Sequence, residues 1–185
     1  MAPIAKLAWV ETKLFLREPL TAVITYAFPL TMLFVLAEVF GSEVQTNDDT
    51  GAPIFRGVPP TDYYISAYVA LVASGVGLVS LPSHVAAYRE LGVVRRFRAS
   101  GFSARTIISA QIVVNLMMMF VGGTFVGLAT GLVYGAPFPS NPVGVAGVFL
   151  LVALMFSVLG ILLGMVLPTA RAAQGAGVLL FFVMM

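Results

Sequence analysis

Four long apolar runs constrain the fold of this chain more than any motif does. They cover residues 20–40, 63–81, 107–134 and 143–167, and a fifth run covers residues 172–185. A helix of about 20 residues crosses the roughly 30 Å hydrocarbon core of a bilayer. Only 10% of the residues are charged and 59% are hydrophobic, which leaves too few polar groups to cover a soluble fold. The sequence therefore predicts an all-α integral membrane protein, a polytopic helix bundle.

The N-terminal segment, residues 1–18, is too polar to span a membrane. On a helical wheel its basic residues form one stripe and its apolar residues gather on another side. This pattern predicts an interfacial helix, whose expected anchoring residues are Lys6, Trp9, Lys13 and Arg17. An ordinary juxtamembrane helix with positive charge is the alternative interpretation.

Prolines and run lengths indicate where the spans bend or end. Pro29 falls within the first span and is expected to kink it, whereas Pro82 and Pro168 are expected to end the second and fourth spans. The third run is longer than a perpendicular span needs, so tilting or bending is expected. The fifth run has only 14 residues, and a terminal carboxylate inside hydrocarbon is unfavourable. A fragment truncated within its fifth helix is the expected explanation.

The charged residues divide the chain between two sides of a membrane. Nine of the ten basic residues lie before the first span, between the second and third spans, or after the fourth, and only Arg56 lies in an intervening loop. Five of the eight acidic residues lie on the side of Arg56. Because Lys and Arg concentrate on the cytoplasmic side, we expect the N-terminus and residues 85–106 to face the cytoplasm, in a plasma or inner membrane.

Small and amide residues in the third and fourth spans predict helix packing. Glycines recur there at four-residue steps, which removes side chains from one stripe and allows another backbone to approach. The partner is a helix of the same chain or of a second subunit. Gln111 and Asn115 lie four residues apart on one face, and interhelical hydrogen bonding is their expected role. The glycines are Gly123, Gly127, Gly131, Gly135, Gly160 and Gly164.

The sequence contains none of the motifs expected of a soluble enzyme. Neither lysine follows a GxxxxGK[ST] loop, so the chain is not expected to bind nucleotide by itself. One histidine and no cysteine leave no metal cluster or catalytic triad. Glu38, close to the outer end, and His84, close to the inner end, are the only ionisable residues expected inside the bilayer, which disfavours an ion relay. We expect a non-enzymatic chain without a bound metal, whose basic segment contacts anionic lipid rather than nucleic acid.

The segment YRELGVVRRFRASGFSAR, from Tyr88 to Arg105, carries a more specific pattern. With the preceding amphipathic start, the LREPL entry to the first span and the acidic outer loop, it resembles the membrane subunit of type 2 ABC exporters, a class that includes daunorubicin-resistance-like drug exporters. Val93 and Gly101 depart from this pattern, since a hydroxyl residue and a proline are common there. The matching residues are Arg89, Glu90, Gly92, Arg95, Arg96, Arg98, Ser100 and Ser103.

The resemblance implies a six-helix half-transporter that dimerises with a second permease copy. It also implies a separate ATP-binding subunit, which supplies ATP and Mg and receives a coupling helix from residues 85–106. Glu90 and Arg96 would then make polar contacts to that subunit, while Leu91 and Phe97 would form an apolar anchor. The full set of expected docking residues is Tyr88, Arg89, Glu90, Leu91, Arg95, Arg96, Phe97 and Arg98.

The function implied by this resemblance is outward transport of a hydrophobic or amphipathic substrate, such as a drug, an antibiotic or a lipid-like molecule. Abundant arginine, alanine, glycine and valine hint at a bacterial source. The alternative is a membrane scaffold or channel-forming subunit without an ATPase partner. In that case the glycine stripe would serve assembly and the basic segment would contact lipid.

Overall fold

A computed structural model describes residues 9, 13, 26–41, 43–47, 50–99, 101 and 103–184. Across these residues helices dominate, and the only β-structure is an isolated bridge between Thr46 and Pro53. Six α-helices follow one another in the described part of the chain. They are α1 (Phe28–Phe40), α2 (Pro60–Glu90), α3 (Val93–Ala99), α4 (Ala104–Tyr134), α5 (Pro142–Val166) and α6 (Ala170–Met184).

Within the described part of the chain, three helical stretches are long and apolar enough to cross a membrane. They are Pro60–Glu90, Thr106–Tyr134 and Pro142–Val166, and the shorter helices α1 and α6 are also apolar. The protein is therefore a helical, multi-pass membrane protein, as its composition predicts. Of the predicted interfacial helix, Trp9 and Lys13 are described, and both are helical and exposed. Lys6 and Arg17 lie outside the described residues, as does the beginning of the first predicted span.

Helix α2 lies at the centre of the bundle. In its most apolar stretch 61% of the residues are buried, compared with 33% in α4 and 22% in α5. It contacts α1, α4, α5 and α6, and its residues Val72, Val76 and Leu78 belong to the hydrophobic core. The outer faces of α4 and α5 instead expose large apolar side chains such as Phe125 and Leu151, as expected for surfaces that face lipid.

Pro82 does not end the second helix, contrary to the expectation from sequence. Helix α2 runs without a break over Pro60–Glu90, and its segment Gly75–Ser80 is a π-helix, with hydrogen bonds between residues five apart. Because proline has no N–H, Pro82 cannot donate to the carbonyl of Leu78, four residues earlier, or of Gly77, five residues earlier. The π-helical segment accommodates this interruption, so the helix continues towards the charged residues.

Side-chain caps and a left-handed glycine determine the ends of the long helices. Ser103 accepts a hydrogen bond from the Thr106 backbone N–H at 3.1 Å and begins α4. Gly135 ends α4 in the left-handed conformation, with φ of 68°. Asn141 then accepts from the Gly144 N–H at 2.9 Å and begins α5. The turn between α4 and α5 thus has local causes in the sequence.

Candidate functional site

Residues 88–98, which we call the charged corner, form the junction of α2 with α3. Helix α2 continues to Glu90 and α3 begins at Val93, so this part of the predicted coupling loop over residues 85–106 is mostly helical. Gly92 turns the chain between the two helices with φ of 65°, a left-handed conformation that glycine adopts readily. Its carbonyl accepts hydrogen bonds from the backbone of Arg95 and Arg96, so the corner is a compact helical turn.

Arg89 connects this corner to the end of α5. Its Nη1 donates to the Gly164 carbonyl at 2.8 Å and to the Leu167 carbonyl at 3.1 Å. The last carbonyls of a helix have no partner within the helix and carry partial negative charge. The last turn of α5 has no basic residue of its own. Arg89 therefore supplies from α2 the positive charge that caps α5.

Glu90 makes the complementary contact with the beginning of α6. Its Oε2 accepts a hydrogen bond from the Ala170 backbone N–H at 3.0 Å. The first turn of α6 has no acidic residue, and an anion near a helix N-terminus is favourable. We call Arg89 and Glu90 the cap pair, because two adjacent residues cap two different helices. The turn between α5 and α6 is thereby attached to the charged corner.

The remaining docking residues lie on the surface of the corner. Leu91 is 69% exposed, which is unusual for an apolar side chain placed among charged ones. Arg95 and Arg96 are exposed on α3, and Tyr88 is half-buried. Phe97 and Arg98 lie in α3, but their side chains are outside the described set. The structure thus brings an exposed leucine and two arginines together next to the cap pair.

The two predicted glycines of α5 lie where α2 approaches at close range. A β-carbon on Gly160 would lie 2.0 Å from the Gly77 carbonyl oxygen, and one on Gly164 would lie 2.7 Å from the Pro82 carbonyl oxygen. Real side chains do not tolerate such distances, so only glycine allows this approach. The partner is a helix of the same chain.

The glycines of α4 are in a different environment. A β-carbon on Gly123 would make ordinary to tight contacts with Phe149 and Val69, whereas Gly127 has open space and Gly131 has only the Ala136 carbonyl oxygen at 3.8 Å. Gly135 is the helix cap described above. Among the described residues, therefore, no helix packs closely along the whole four-residue stripe.

Three other glycines make close contacts that the four-residue spacing does not indicate. A β-carbon on Gly177 would lie 1.8 Å from the Leu78 carbonyl oxygen, and one on Gly122 would lie 2.4 Å from the Tyr26 ring. A β-carbon on Gly77 would lie 2.6 Å from the β-carbon of Phe156. The pair Gly175 and Gly177 is visible in the sequence, but a two-residue spacing puts the two on different sides of a helix, so spacing alone does not show which one is packed.

The buried amide Asn115 joins α4 to α5. Its Nδ2 donates to the Ser157 hydroxyl at 2.8 Å, and that hydroxyl donates to the Ala153 carbonyl at 2.7 Å. This is the interhelical hydrogen bonding that the sequence predicts for Asn115. His84 has a backbone partner, since its Nδ1 lies 2.8 Å from the Ser80 carbonyl oxygen. Gln111 is also buried and lines a cavity, and in the described part of the chain it makes no hydrogen bond to another helix, contrary to the prediction for it.

Comparison with known proteins identifies the family. The family model described as ABC-2 type transporter matches residues 4–185, which is nearly the whole chain. No curated protein and no solved structure matches it. The match extends over all the helices described above and includes the charged corner. The chain therefore belongs to the ABC-2 type transporter family and is an ABC transporter permease.

Proposed function

We propose that this permease exports a hydrophobic or amphipathic substrate and is energised by a separate ATP-binding subunit that docks on the charged corner. The observation that carries the proposal is the exposure of Leu91 beside Arg95 and Arg96. An apolar anchor within a polar rim is typical of a protein interface. The family implies an ABC ATP-binding partner, and this surface offers such a partner both apolar and charged contacts.

The cap pair supports a second part of the proposal, which concerns how movement at the corner reaches the membrane helices. Arg89 and Glu90 end α2 and contact α5 and α6 directly. A displacement of the corner would therefore act on three helices together. We assign Leu91, Arg95 and Arg96 to ATPase docking, and Arg89 and Glu90 to transmission, which refines the expectation that Glu90 contacts the ATPase.

Two further elements complete the proposal. A second permease copy would complete the transporter, since dimerisation is possible for this family. The N-terminus and the charged corner face the cytoplasm, because nine of the ten basic residues share that side. The acidic loop between α1 and α2 would then face outward.

The docking assignment predicts that Leu91→Asp weakens ATPase binding by about tenfold or more, because it places an unpaired carboxylate in a desolvated anchor position. The measurement is retention of the ATP-binding subunit when the full-length permease is purified. That subunit is identified by the GxxxxGK[ST] motif in an adjacent reading frame. ATP hydrolysis by the complex, measured with and without vanadate, provides a second readout.

The matched control is Val44→Asp, which introduces the same charge at an exposed apolar residue of the opposite loop. It should leave ATPase retention unchanged. Equal retention by the Leu91→Asp and wild-type proteins would contradict docking on the corner. A homo-oligomer that conducts ions without nucleotide and retains no ATPase would instead favour a channel-forming subunit.

The orientation is tested by cysteine labelling, because the chain has no native cysteine. Asp48→Cys and Arg98→Cys are expected to react with a membrane-impermeant maleimide from opposite sides of the membrane. In intact cells the first should label and the second should label only after permeabilisation. The reverse pattern would place the charged corner outside the cell and would contradict ATPase docking there.

A further inference from the structure

A small, partly open cavity lies between α2 and α4 in the membrane-spanning part of the bundle. Its volume is about 30 Å³, and four polar residues contribute to its lining. They are Ser80 and His84 from α2, and Gln111 and Asn115 from α4. The remainder of the lining is apolar. About 10–15 Å³ of such cavity volume is enough to hold one water molecule, so this cavity admits one small polar group.

Gln111 is the most informative residue of this cavity. It is only 5% exposed, yet its side chain makes no hydrogen bond to any part of the chain that the structure describes. Among the described residues no fully buried side-chain nitrogen or oxygen lacks a partner, so the polar atoms of Gln111 reach the open space of the cavity rather than the packed interior. Its carbonyl oxygen and its NH₂ group can both bond to a molecule in the cavity.

The neighbouring polar residues are held in place by bonds of their own. Asn115 uses its Nδ2 for Ser157, which leaves its Oδ1 without a donor among the described residues. His84 Nδ1 donates to the Ser80 carbonyl, since a carbonyl oxygen only accepts. The lining therefore offers a positioned acceptor on Asn115 and both donor and acceptor atoms on Gln111.

The composition of the lining indicates the charge of a suitable ligand. Among the described residues no aspartate, glutamate, lysine or arginine belongs to the lining, and its one histidine, His84, already uses Nδ1 for the Ser80 carbonyl. An ionised group bound within the hydrocarbon region would lack a countercharge, which is costly. An uncharged hydroxyl or carboxamide, in contrast, can donate to one amide oxygen and accept from an amide NH₂.

The depth of the cavity favours a molecule that reaches it through the membrane. Gln111 lies seven residues after Ala104, the first residue of α4, or roughly 10 Å along the helix axis. This places the cavity within the leaflet next to the charged corner. An amphipathic molecule in that leaflet would have its apolar part in hydrocarbon and its polar group at the level of the cavity.

We propose that this cavity binds the uncharged polar group, a hydroxyl or a carboxamide, of an otherwise apolar substrate before export. The proposal rests on the proposed transport function for the identity of the ligand as a substrate. Binding at the cavity is measured without ATP, so a failure of the site and a failure of transport give different results.

The test uses full-length protein in phosphatidylcholine nanodiscs and a long-chain alcohol that carries a photoreactive diazirine. Irradiation followed by peptide mass spectrometry should place the label on the segments of α2 and α4 that line the cavity. Unlabelled decanol and decanamide should compete with it. Decane and decyltrimethylammonium should not, because the first has no hydrogen-bonding group and the second has a charge without a partner.

The variant Gln111→Met keeps a similar volume and removes the amide. It should weaken specific labelling by about five- to tenfold, the effect of losing one or two buried hydrogen bonds. The control Thr124→Val changes an exposed polar residue of the same helix and should leave labelling unchanged. Comparable size-exclusion profiles of both variants would show that the fold is retained.

Four outcomes would overturn the proposal. The first three are labelling away from the cavity, equal competition by decane, and full labelling of the Gln111→Met protein. A fourth is labelling that resists decanol but changes when ester lipids are replaced by ether lipids, because the cavity would then hold a lipid ester group. If the site binds as expected but the ATPase complex exports no decanol analogue, the site stands and the proposed export of this class fails.

Discussion

Replacing Gly177 by alanine is expected to destabilise the bundle by roughly 3 kcal/mol or more, near the upper end of overpacking effects. The added β-carbon would lie 1.8 Å from the Leu78 carbonyl oxygen and 2.8 Å from its carbon. These are backbone atoms, so no side-chain rotation relieves the overlap, and α6 must move away from α2. The loss is measured as a lower melting temperature of the detergent-solubilised protein.

The matched control is Gly175→Ala, two residues earlier on the same helix. A β-carbon there has no atom within 4 Å, so this variant should be as stable as the parent or slightly more stable, because alanine favours a helix over glycine. A second pair lies on α5, where Gly160→Ala should destabilise and Gly147→Ala should not. Equal melting temperatures within either pair would contradict the observed close packing.

The position of these glycines follows from the interruption in α2. Pro82 cannot donate a backbone hydrogen bond to Gly77 or Leu78, and the carbonyls of these two residues are the ones that Gly160 and Gly177 approach. Both carbonyls face glycines of neighbouring helices, where no side chain holds the backbones apart. The proline, the π-helical segment and the two glycines therefore form one packing unit.

Replacing both members of the cap pair by methionine is expected to abolish transmission while ATPase docking is retained. Methionine keeps much of the side-chain length but cannot donate to Gly164 and Leu167 or accept a strong bond from Ala170. We expect the double variant to lose a coupling free energy of about 1–3 kcal/mol between nucleotide binding and helix movement. ATP hydrolysis should continue in the complex, whereas ATP-driven export should fall.

The measurement follows a cysteine placed in the turn between α5 and α6. Pro168 is exposed there, and Pro168→Cys should change its labelling rate when nucleotide binds to the permease and ATPase complex. In the Arg89→Met, Glu90→Met background this response should disappear. Arg171→Met, which removes an exposed arginine of α6, is the control and should preserve it. A normal response without the cap pair would show that another contact carries the movement.

The glycines illustrate how far sequence reasoning reaches. Spacing identified Gly160 and Gly164, because both lie on one face of a single helix. The same rule selected Gly127, which has open space around it, and did not select Gly177, which has the closest contact. Spacing describes one helix at a time, whereas a close contact also depends on where the neighbouring backbone lies.

The charged residues show the same contrast between what local sequence indicates and what depends on the packing of distant helices. Their distribution along the chain was sufficient to separate two groups of loops, and their pattern between the second and third spans indicated the family. It did not indicate that Arg89 and Glu90 cap helices that begin or end about 75 to 80 residues later. The free backbone groups at those helix ends come within reach of Arg89 and Glu90 only once α5 and α6 pack against α2.

By itself the sequence determined that this protein is a helical membrane protein with apolar spans and one dense basic segment, because transfer into hydrocarbon depends on the composition of each local run. The tertiary structure alone decided that α2 continues past Pro82, that the cap pair connects three helices, and that Gln111 faces a cavity. These features depend on contacts between residues far apart in the chain, which helix packing establishes and local composition does not encode.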